Sequence, residues 1–456
     1  MEKWVLAAKR ADFQEIGRKY GIDPVIARII RNRDITEDAE INQYLNGTLD
    51  DIPSWKSLKD IDKAVEIISQ KIDLGTRMRI IGDYDIDGVT ATYILLKGFK
   101  RLGANVDTYI PDRIADGYGI HNHLIEKAKE DGVDTIVTCD NGISAADQIA
   151  FAKKMGMTVV VTDHHEVPFE DTEEGRKYKL PLADAIINPK QSDCTYPNKN
   201  ICGAVVAMKL VFALYEKYGI PESEKEDYLE PAAIATVGDI MDLQGENRIL
   251  VKEGLLRLPH TKNKGLKALI RAIGLENQKI SSYDIGFRLG PCINASGRLD
   301  TAMRSLSLLQ CEDEEEAAKL ANDLKALNDS RKALTEQGTE AAYKLINGSD
   351  LKNDRVMVVF LPDCHESLAG IIAGRIREKY HKPAFVLTRG EKSVKGSGRS
   401  TENYSMYEEL VKCDSLLLQY GGHPMAAGLS IEEANVEAFR RQLNENCTLT
   451  EEDMIP

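Results

Sequence analysis

The chain has 456 residues, a formal charge of −14, 43% hydrophobic and 29% charged residues, and few aromatics. That length exceeds one ordinary core and points to about two to four domains. No apolar stretch approaches the ~20 residues that span a bilayer, and Met1-Glu2-Lys3-Trp4 does not begin a charged-then-apolar leader, which excludes a membrane protein and predicts a cytoplasmic one.

The acidic balance rules out a coat of basic surface but not nucleic acid, since a metal-centred groove draws phosphate locally. Cys139, Cys194, Cys202, Cys292, Cys311, Cys364, Cys413 and Cys447 lack paired spacing. They read as reduced thiols, not as a disulfide framework or a zinc cluster.

Residues 1 to about 75 read as mostly helical, with a turn-rich patch over Asp50–Trp55. From Arg77 strands and helices alternate: strands at Met78–Ile81, Val106–Ile110, Thr135–Cys139, Thr158–Thr162 and Ala185–Ile187, helices at Val89–Leu102, Asn122–Glu130 and Ala145–Met155. This alternation predicts an α/β fold with a parallel sheet covered on both faces. Helices are expected from Cys202 to Tyr218 and from Tyr228 to about Val237. Over Asp313–Ile346, Ala317, Leu320, Ala321, Leu324 and Leu327 recur at three and four, which predicts one exposed helix bridging two lobes. A second α/β unit opens at Arg355–Phe360, with helix Ser367–Tyr380, strand Ala384–Leu387, and Gly-rich turns at Gly396–Gly398 and Gly421–Gly422.

Three of the predicted strands run straight into acids or imidazoles. Met78–Ile81 leads to Asp83, Asp85 and Asp87; Thr135–Cys139 to Asp140; and Thr158–Thr162 to Asp163, His164 and His165. The carboxyl edge of an open α/β sheet is where sites are built. Carboxylates and imidazoles without cysteine favour manganese or magnesium over zinc. With a later acid such as Asp239 there are ligands for two ions sharing a bridging carboxylate. Two ions ~3.5–4 Å apart activate water and clamp a phosphoryl group, so the expected reaction is phosphoester or phosphoanhydride hydrolysis. Other titratable groups have simpler readings. Asp242 is a surface or capping acid, His121 and His123 sit in a solvated loop, Glu312–Glu316 starts a helix, and Cys139 is core.

DYDIDG at Asp83–Gly88, CDNG at Cys139–Gly142, the DHH triplet at Asp163–His165 and VGDIMDL at Val237–Leu243 resemble the four motifs of the DHH phosphoesterase family. YPNKNICGAVVAMKL, LGPCINASGRLD, CHESLAGIIAGRI, GSGRS and GGHPMAAG narrow the resemblance to its RecJ-type single-strand-specific exonucleases, over roughly residues 75 to 430.

The resemblance implies a helical leader (1–75), a Rossmann-like DHH domain (76–311), a connecting helix (312–350), a smaller α/β DHH-associated domain (351–447) that closes a cleft, and a tail (448–456). It implies 5′→3′ digestion of single-stranded DNA to mononucleotides in repair and recombination, with two Mn²⁺ or Mg²⁺ ions. Single-strand-binding protein and a helicase would be partners. Carried over by position, Asp85, Asp87, Asp140, His164 and Asp239 are the main ligands, with Asp140 the bridge. His165 faces the substrate phosphate and Asp163 orients the imidazoles. Ile81 stands where many family members have a histidine, and Asp83 or water takes that place.

Arg298 in the first lobe, and Arg375, Arg399 and His423 in the second, are the expected phosphate grips, Arg399 from within a Gly/Ser turn whose amides could approach an anion. Many relatives continue into an OB-fold, which nothing after about residue 447 could form, so weaker and less processive DNA binding is expected. Two alternatives stand beside the exonuclease. One is a DHH phosphodiesterase of short oligoribonucleotides or small nucleotides. The other is a non-catalytic replication scaffold, which would have lost the carboxylates kept here.

Overall fold

The structure, a computed structural model, describes residues 4–5, 7, 9–117, 119–172 and 175–455. Residues 7–328 form one compact unit and residues 329–456 belong to a second.

The larger unit opens with helices α1 (Phe13–Tyr20), α2 (Pro24–Asn32), α3 (Asp38–Asn46) and α4 (Ile61–Asp73). Asp12 and Asp23 cap the first two by accepting the Glu15 and Val25 amides, and a proline takes the first position of α2, where no amide is needed. The α/β part follows as β1 (Met78–Ile81), α5 (Ile86–Arg101), β2 (Val106–Tyr109), α6 (Asn122–Glu130), β3 (Thr135–Cys139), α7 (Ala146–Lys154), β4 (Thr158–Thr162), the hairpin β5 (Phe169–Thr172) and β6 (Gly175–Tyr178), and β7 (Ala185–Ile187). Five of these strands form a parallel sheet in the order β2-β1-β3-β4-β7.

The period of two along each strand splits the core. Met78, Ile80, Val137, Cys139 and Val160 join one apolar cluster with α4 and α5, while Ile81, Ile136, Val159 and Val161 join another with α6 and α7. Cys139 is core, as expected. The chain leaves β1 toward β2 on one side and returns to β3 on the other, so the carboxyl ends of β1 and β3 flank the point where strand order reverses, the place where open α/β sheets bind ligands.

Helices α8 (Gly203–Tyr218), α9 (Leu229–Gly238), α10 (Gly245–Arg257), α11 (Lys264–Ala272), α12 (Gly290–Leu299) and α13 (Met303–Gln310) complete this unit. The block from α10 to α13, with a π-helical turn at Ile285–Leu289, and the β5–β6 hairpin were not anticipated. The long helix α14 spans Glu314–Asn347. Its apolar stripe is not exposed: Ala317, Ala321 and Leu324 are buried, the last two in the larger unit's main cluster. Spacing shows that a helix has an apolar face, not what covers that face.

The second unit holds β8 (Met357–Phe360), α15 (Ala369–Tyr380), β9 (Ala384–Arg389), β10 (Val394–Arg399), α16 (Met406–Val411), β11 (Leu417–His423), β12 (Ala426–Ile431) and α17 (Val436–Asn446), with sheet order β11-β12-β10-β9-β8. The two glycine-rich stretches are strand, not turn. Gly396 and Gly398 lie in β10, where a methyl group would stand 2.2 Å from Leu387 and 2.5 Å from Phe385 respectively. Gly421 and Gly422 lie in β11. Glycine marks close packing here, and the β10 amides serve the ladder between β9 and β12.

Candidate metal centre

Sheet register assembles the site. Ile81 pairs with Thr138 and Cys139 with Thr162, so Asp83, Asp140 and Asp163 leave adjacent strands at nearly one level. Asp140 turns away from β3 with φ 59°, a left-handed conformation that Asp and Asn tolerate better than most residues, and its amide donates to Thr162 O at 3.0 Å. Asp85 caps α5, its Oδ1 accepting the Asp87 and Gly88 amides at 2.9 and 3.0 Å. Asp87, in the first turn of α5, reaches the start of α8, where the Gly203 and Ala204 amides donate at 2.6 and 2.8 Å. Two helix N-termini thus hold the two carboxylates.

His164 Nε2 lies 3.1 Å from Asp140 Oδ1 and 3.6 Å from both Asp87 Oδ2 and Asp239 Oδ2. Among the described residues, three groups of donor atoms each fall within 4.8 Å: Asp83, Asp85 and Asp140; Asp87, His164 and Asp239; and Asp140, His164 and His165. Asp140 joins the first group to the third, and His164 joins the third to the second. Asp242, three residues beyond Asp239, is in none of them.

Asp163 is wholly buried and accepts from the His164, His165 and Ile143 amides and from His165 Nδ1 at 2.7 Å. It orients the His165 ring directly and His164 only through the backbone, a narrower reach than the sequence suggests. Ile81, the position of the family histidine, faces the apolar cluster over α6 and α7, while buried Asp83 takes part in one of the three groups, with Asp85 and Asp140.

The electrostatics are those of a cage built for cations. Burial pushes Asp83 and Asp140 well above the ordinary carboxylate range, reinforced by Asp85 at the first and by Asp87 and Asp85 at the second. Burial, with Asp87 and Asp85 beside it, raises Asp239 to about 8, and burial raises Asp87 despite its two amides. His164 is lowered by burial, whereas His165 overcomes burial through its bond to Asp163 and rises to about 9. Asp83 Oδ1, Asp239 Oδ2 and His164 Nδ1 are buried without a hydrogen-bond partner. Buried, unsatisfied carboxylate oxygens at like-charge spacing fit hard divalent cations with oxygen and imidazole ligands.

Several supporting groups escaped sequence reasoning. Gly203, whose amide holds Asp87, shows in the sequence only as one letter within a longer motif. Asn294 Oδ1 accepts the Ile86 amide at 2.8 Å, and Arg113 stacks 3.8 Å above the Tyr84 ring while Nε donates to Gly297 O. Ile240, directly after Asp239, is 88% exposed with φ 57°, a strained conformation for a β-branched residue. Arg298 lies near the end of α12, within electrostatic reach of Tyr84. His121 and His123 stack on each other with His123 bonded to Asp116; neither joins a ligand group among the described residues.

Arg375, Arg399 and His423 belong to the second unit. Arg399 ends β10, not a turn, paired with Ala384 and Ala426; its guanidinium packs over Gly370 of α15, close to Arg377, and Nη1 donates to Gly398 O. Arg375 is exposed on α15, and exposed His423 accepts the Met425 amide on Nδ1 at 3.3 Å.

A switch-point parallel sheet with a DHH triplet and clustered aspartates defines the DHH class. The family model "DHH family, N-terminal domain" matches residues 77–236, and the DHHA1 domain matches residues 353–448. The single-stranded-DNA-specific exonuclease RecJ of Salmonella typhimurium is 36% identical over 447 residues, 94% of this chain and 75% of that protein. A crystal structure of exonuclease RecJ bound to manganese aligns with TM-score 0.74 and 34% identity, covering 87% of this chain and 95% of that one. RecJ from Thermus thermophilus in complex with Mn²⁺ aligns with TM-score 0.79 and 31% identity, covering 95% and 60%. The chain belongs to the RecJ family.

Proposed function

We propose that this protein is a metal-dependent, single-strand-specific DNA exonuclease that digests 5′→3′ to mononucleotides in repair and recombination. The observation that carries this reading is the pair of ligand groups at the switch point, Asp83–Asp85–Asp140 and Asp87–His164–Asp239, brought together by Asp140 and His164. Asp83, Asp85, Asp87, Asp140, His164 and Asp239 would hold Mn²⁺ or Mg²⁺, with Asp140 lying between the two groups and Asp83 standing in for the histidine that Ile81 replaces. When bound, the two ions supply a water of lowered pKa and a Lewis-acidic clamp on the phosphoryl oxygens.

The protein's own groups do the rest. Asp163 fixes His165 through Nδ1, which leaves Nε2 to face the phosphate oxygens as charge builds on them. The Gly203 and Ala204 amides keep Asp87 aimed. Arg298 would grip the strand in the larger unit. Arg375, Arg399 and His423 would grip it in the second, where an anion would relieve the repulsion between Arg399 and Arg377. The domain limits are taken at 76–311, 312–350 and 351–447. Cytoplasmic single-strand-binding protein and a helicase would be the working partners; no helix among the described residues is long and apolar enough to cross a membrane.

The test is a Mn²⁺-dependent digest of 5′-labelled single strands, duplexes and short RNAs. Mononucleotides released from the 5′ end of single-stranded DNA, with duplex resistant, is the expected result. Hydrolysis of dinucleotides alone would overturn it in favour of a small-nucleotide phosphodiesterase, and metal binding without hydrolysis would favour a scaffold.

A further inference from the structure

Tyr283 and Phe287 are 63% and 65% exposed, and their rings stack with centroids 4.7 Å apart and planes inclined by 26°. Two large rings stacked on each other in solvent contribute little to a core. Phe287 lies within the π-helical turn Ile285–Leu289, an element frequently found at functional sites, and Tyr283 lies just before it. The turn runs straight into α12 and packs against the end of α9. A methyl group on Gly286 would stand 3.8 Å from Val237, two residues before Asp239. Exposed Ile240 adds a further apolar side chain at that end.

From Phe287, positions Pro291, Asn294 and Arg298 follow at four, three and four residues, which is one helical face. That face ends on the metal loop: Asn294 accepts the Ile86 amide, and Gly297 is so close to Tyr84 O that a methyl group would stand 2.3 Å from it. From Asn294 back to Phe287 is about 10 Å at ~1.5 Å per residue. A stacked single strand covers that distance in roughly three nucleotides at ~3.4 Å each.

We propose that Tyr283 and Phe287 form a base-stacking platform that holds a nucleobase of single-stranded DNA about three nucleotides from the phosphate at the metal cage. This rests on the exonuclease reading above. An aromatic face accepts any base, which gives grip without sequence preference, and the bases of an intact duplex are not available to it. The π-turn sets the rings on the continuation of the face that carries Asn294 and Arg298, so the platform leads into the helix whose Asn294 and Gly297 pack against the metal loop.

The test pairs Tyr283→Ala/Phe287→Ala with the conservative Tyr283→Phe/Phe287→Tyr. Both side-chain pairs are solvent-exposed, so folding is retained. Each protein is given a dinucleotide and an eight-nucleotide single strand with Mn²⁺. A nuclease-resistant phosphorothioate strand with 2-aminopurine at the third or fourth base reports stacking by fluorescence quenching. The alanine variant is expected to raise KM for the eight-mer about tenfold or more, lose the quenching and leave dinucleotide hydrolysis unchanged, with the aromatic variant behaving as wild type. Unchanged KM and quenching would overturn the platform while leaving the exonuclease reading intact. Equal loss on both substrates would also overturn it, as a structural effect. A wild-type protein that hydrolyses no single strand would overturn both.

Discussion

Gly203 sits directly against Asp140: a methyl group on its Cα would stand 2.8 Å from the Asp140 Cβ and 2.9 Å from Oδ1. The same residue donates its amide to Asp87 Oδ2 at 2.6 Å. One residue without a side chain therefore sets the spacing between two carboxylates, one in the first turn of α5 and one directly after β3. Gly203→Ala should keep the fold but push Asp140 and the start of α8 apart. Mn²⁺ affinity is expected to fall about 10–100-fold, as for the loss of a group that orients a ligand, with a matching loss of nuclease activity. A Mn²⁺ titration followed by electron paramagnetic resonance reads this, and wild-type affinity would contradict it.

Asp140→Asn should separate stability from function. Asp140 is buried among Asp87, Asp85, Asp83 and Asp163, and its charge is disfavoured there without a cation. Asparagine has the same shape and accepts the 59° φ of this position. The metal-free variant is expected to melt higher than metal-free wild type, by the order of 1 kcal/mol in stability, while activity falls about 10³-fold or more. Calorimetry in EDTA beside a nuclease assay measures both; a lower melting temperature would refute the electrostatic account.

The metal-free protein should lose stability as pH rises from about 6.5 to about 9. Asp239, at about 8 in the fold against an ordinary 3.8, keeps its proton longer in the native state than in the unfolded chain. His165, at about 9 against 6.5, does the same. Both groups therefore bind more protons when folded across this window, and the slope of unfolding free energy against pH is negative. His164, lowered by burial, acts oppositely only below its ordinary 6.5, and Asp163, also lowered, acts only in acid. Bound Mn²⁺ needs deprotonated ligands, so the gap in melting temperature between Mn²⁺ and EDTA should widen with pH. A melting temperature in EDTA that is flat or rising over this range would show that the cage is not strained by its own charge.

The candidate ligands were legible because each follows its strand directly in sequence. Met78–Ile81, Thr135–Cys139 and Thr158–Thr162 are apolar runs that end in Asp83, Asp140 and Asp163-His164-His165, and local pattern suffices to read both. What holds the ligands was not legible, because it arrives from elsewhere: the amides that fix Asp87 belong to residues 116 and 117 positions further on. The same non-locality explains the glycines of β10. Gly396 and Gly398 read as turn formers until Leu387 and Phe385 are seen to occupy the space beside them.

Lys209 and Glu246 give a last case of a charge whose meaning depends on distant partners. Lys209 Nζ lies 3.0 Å from Glu246 Oε2 and 3.3 Å from Pro53 O, and Tyr196 OH donates to both Glu246 oxygens at 2.9 and 2.7 Å. The side chains of the pair are 3% and 0% exposed, and they tie the leader to α8 and α10. Asn247, beside Glu246, donates to Asn200 O and Asp242 O, the segments that precede Gly203 and follow Asp239. Lys209→Met alone leaves a buried carboxylate without its cation and is expected to cost about 3–5 kcal/mol in denaturant unfolding of this unit. Adding Glu246→Gln removes that charge while the amide oxygen still accepts from Tyr196, so the double variant should recover most of the loss. Because the network borders both segments that reach the cage, the single variant should also weaken Mn²⁺ binding and the double variant restore it. If the double variant is no more stable than Lys209→Met, the loss comes from packing of the lysine stem, and the unpaired charge is not its cause.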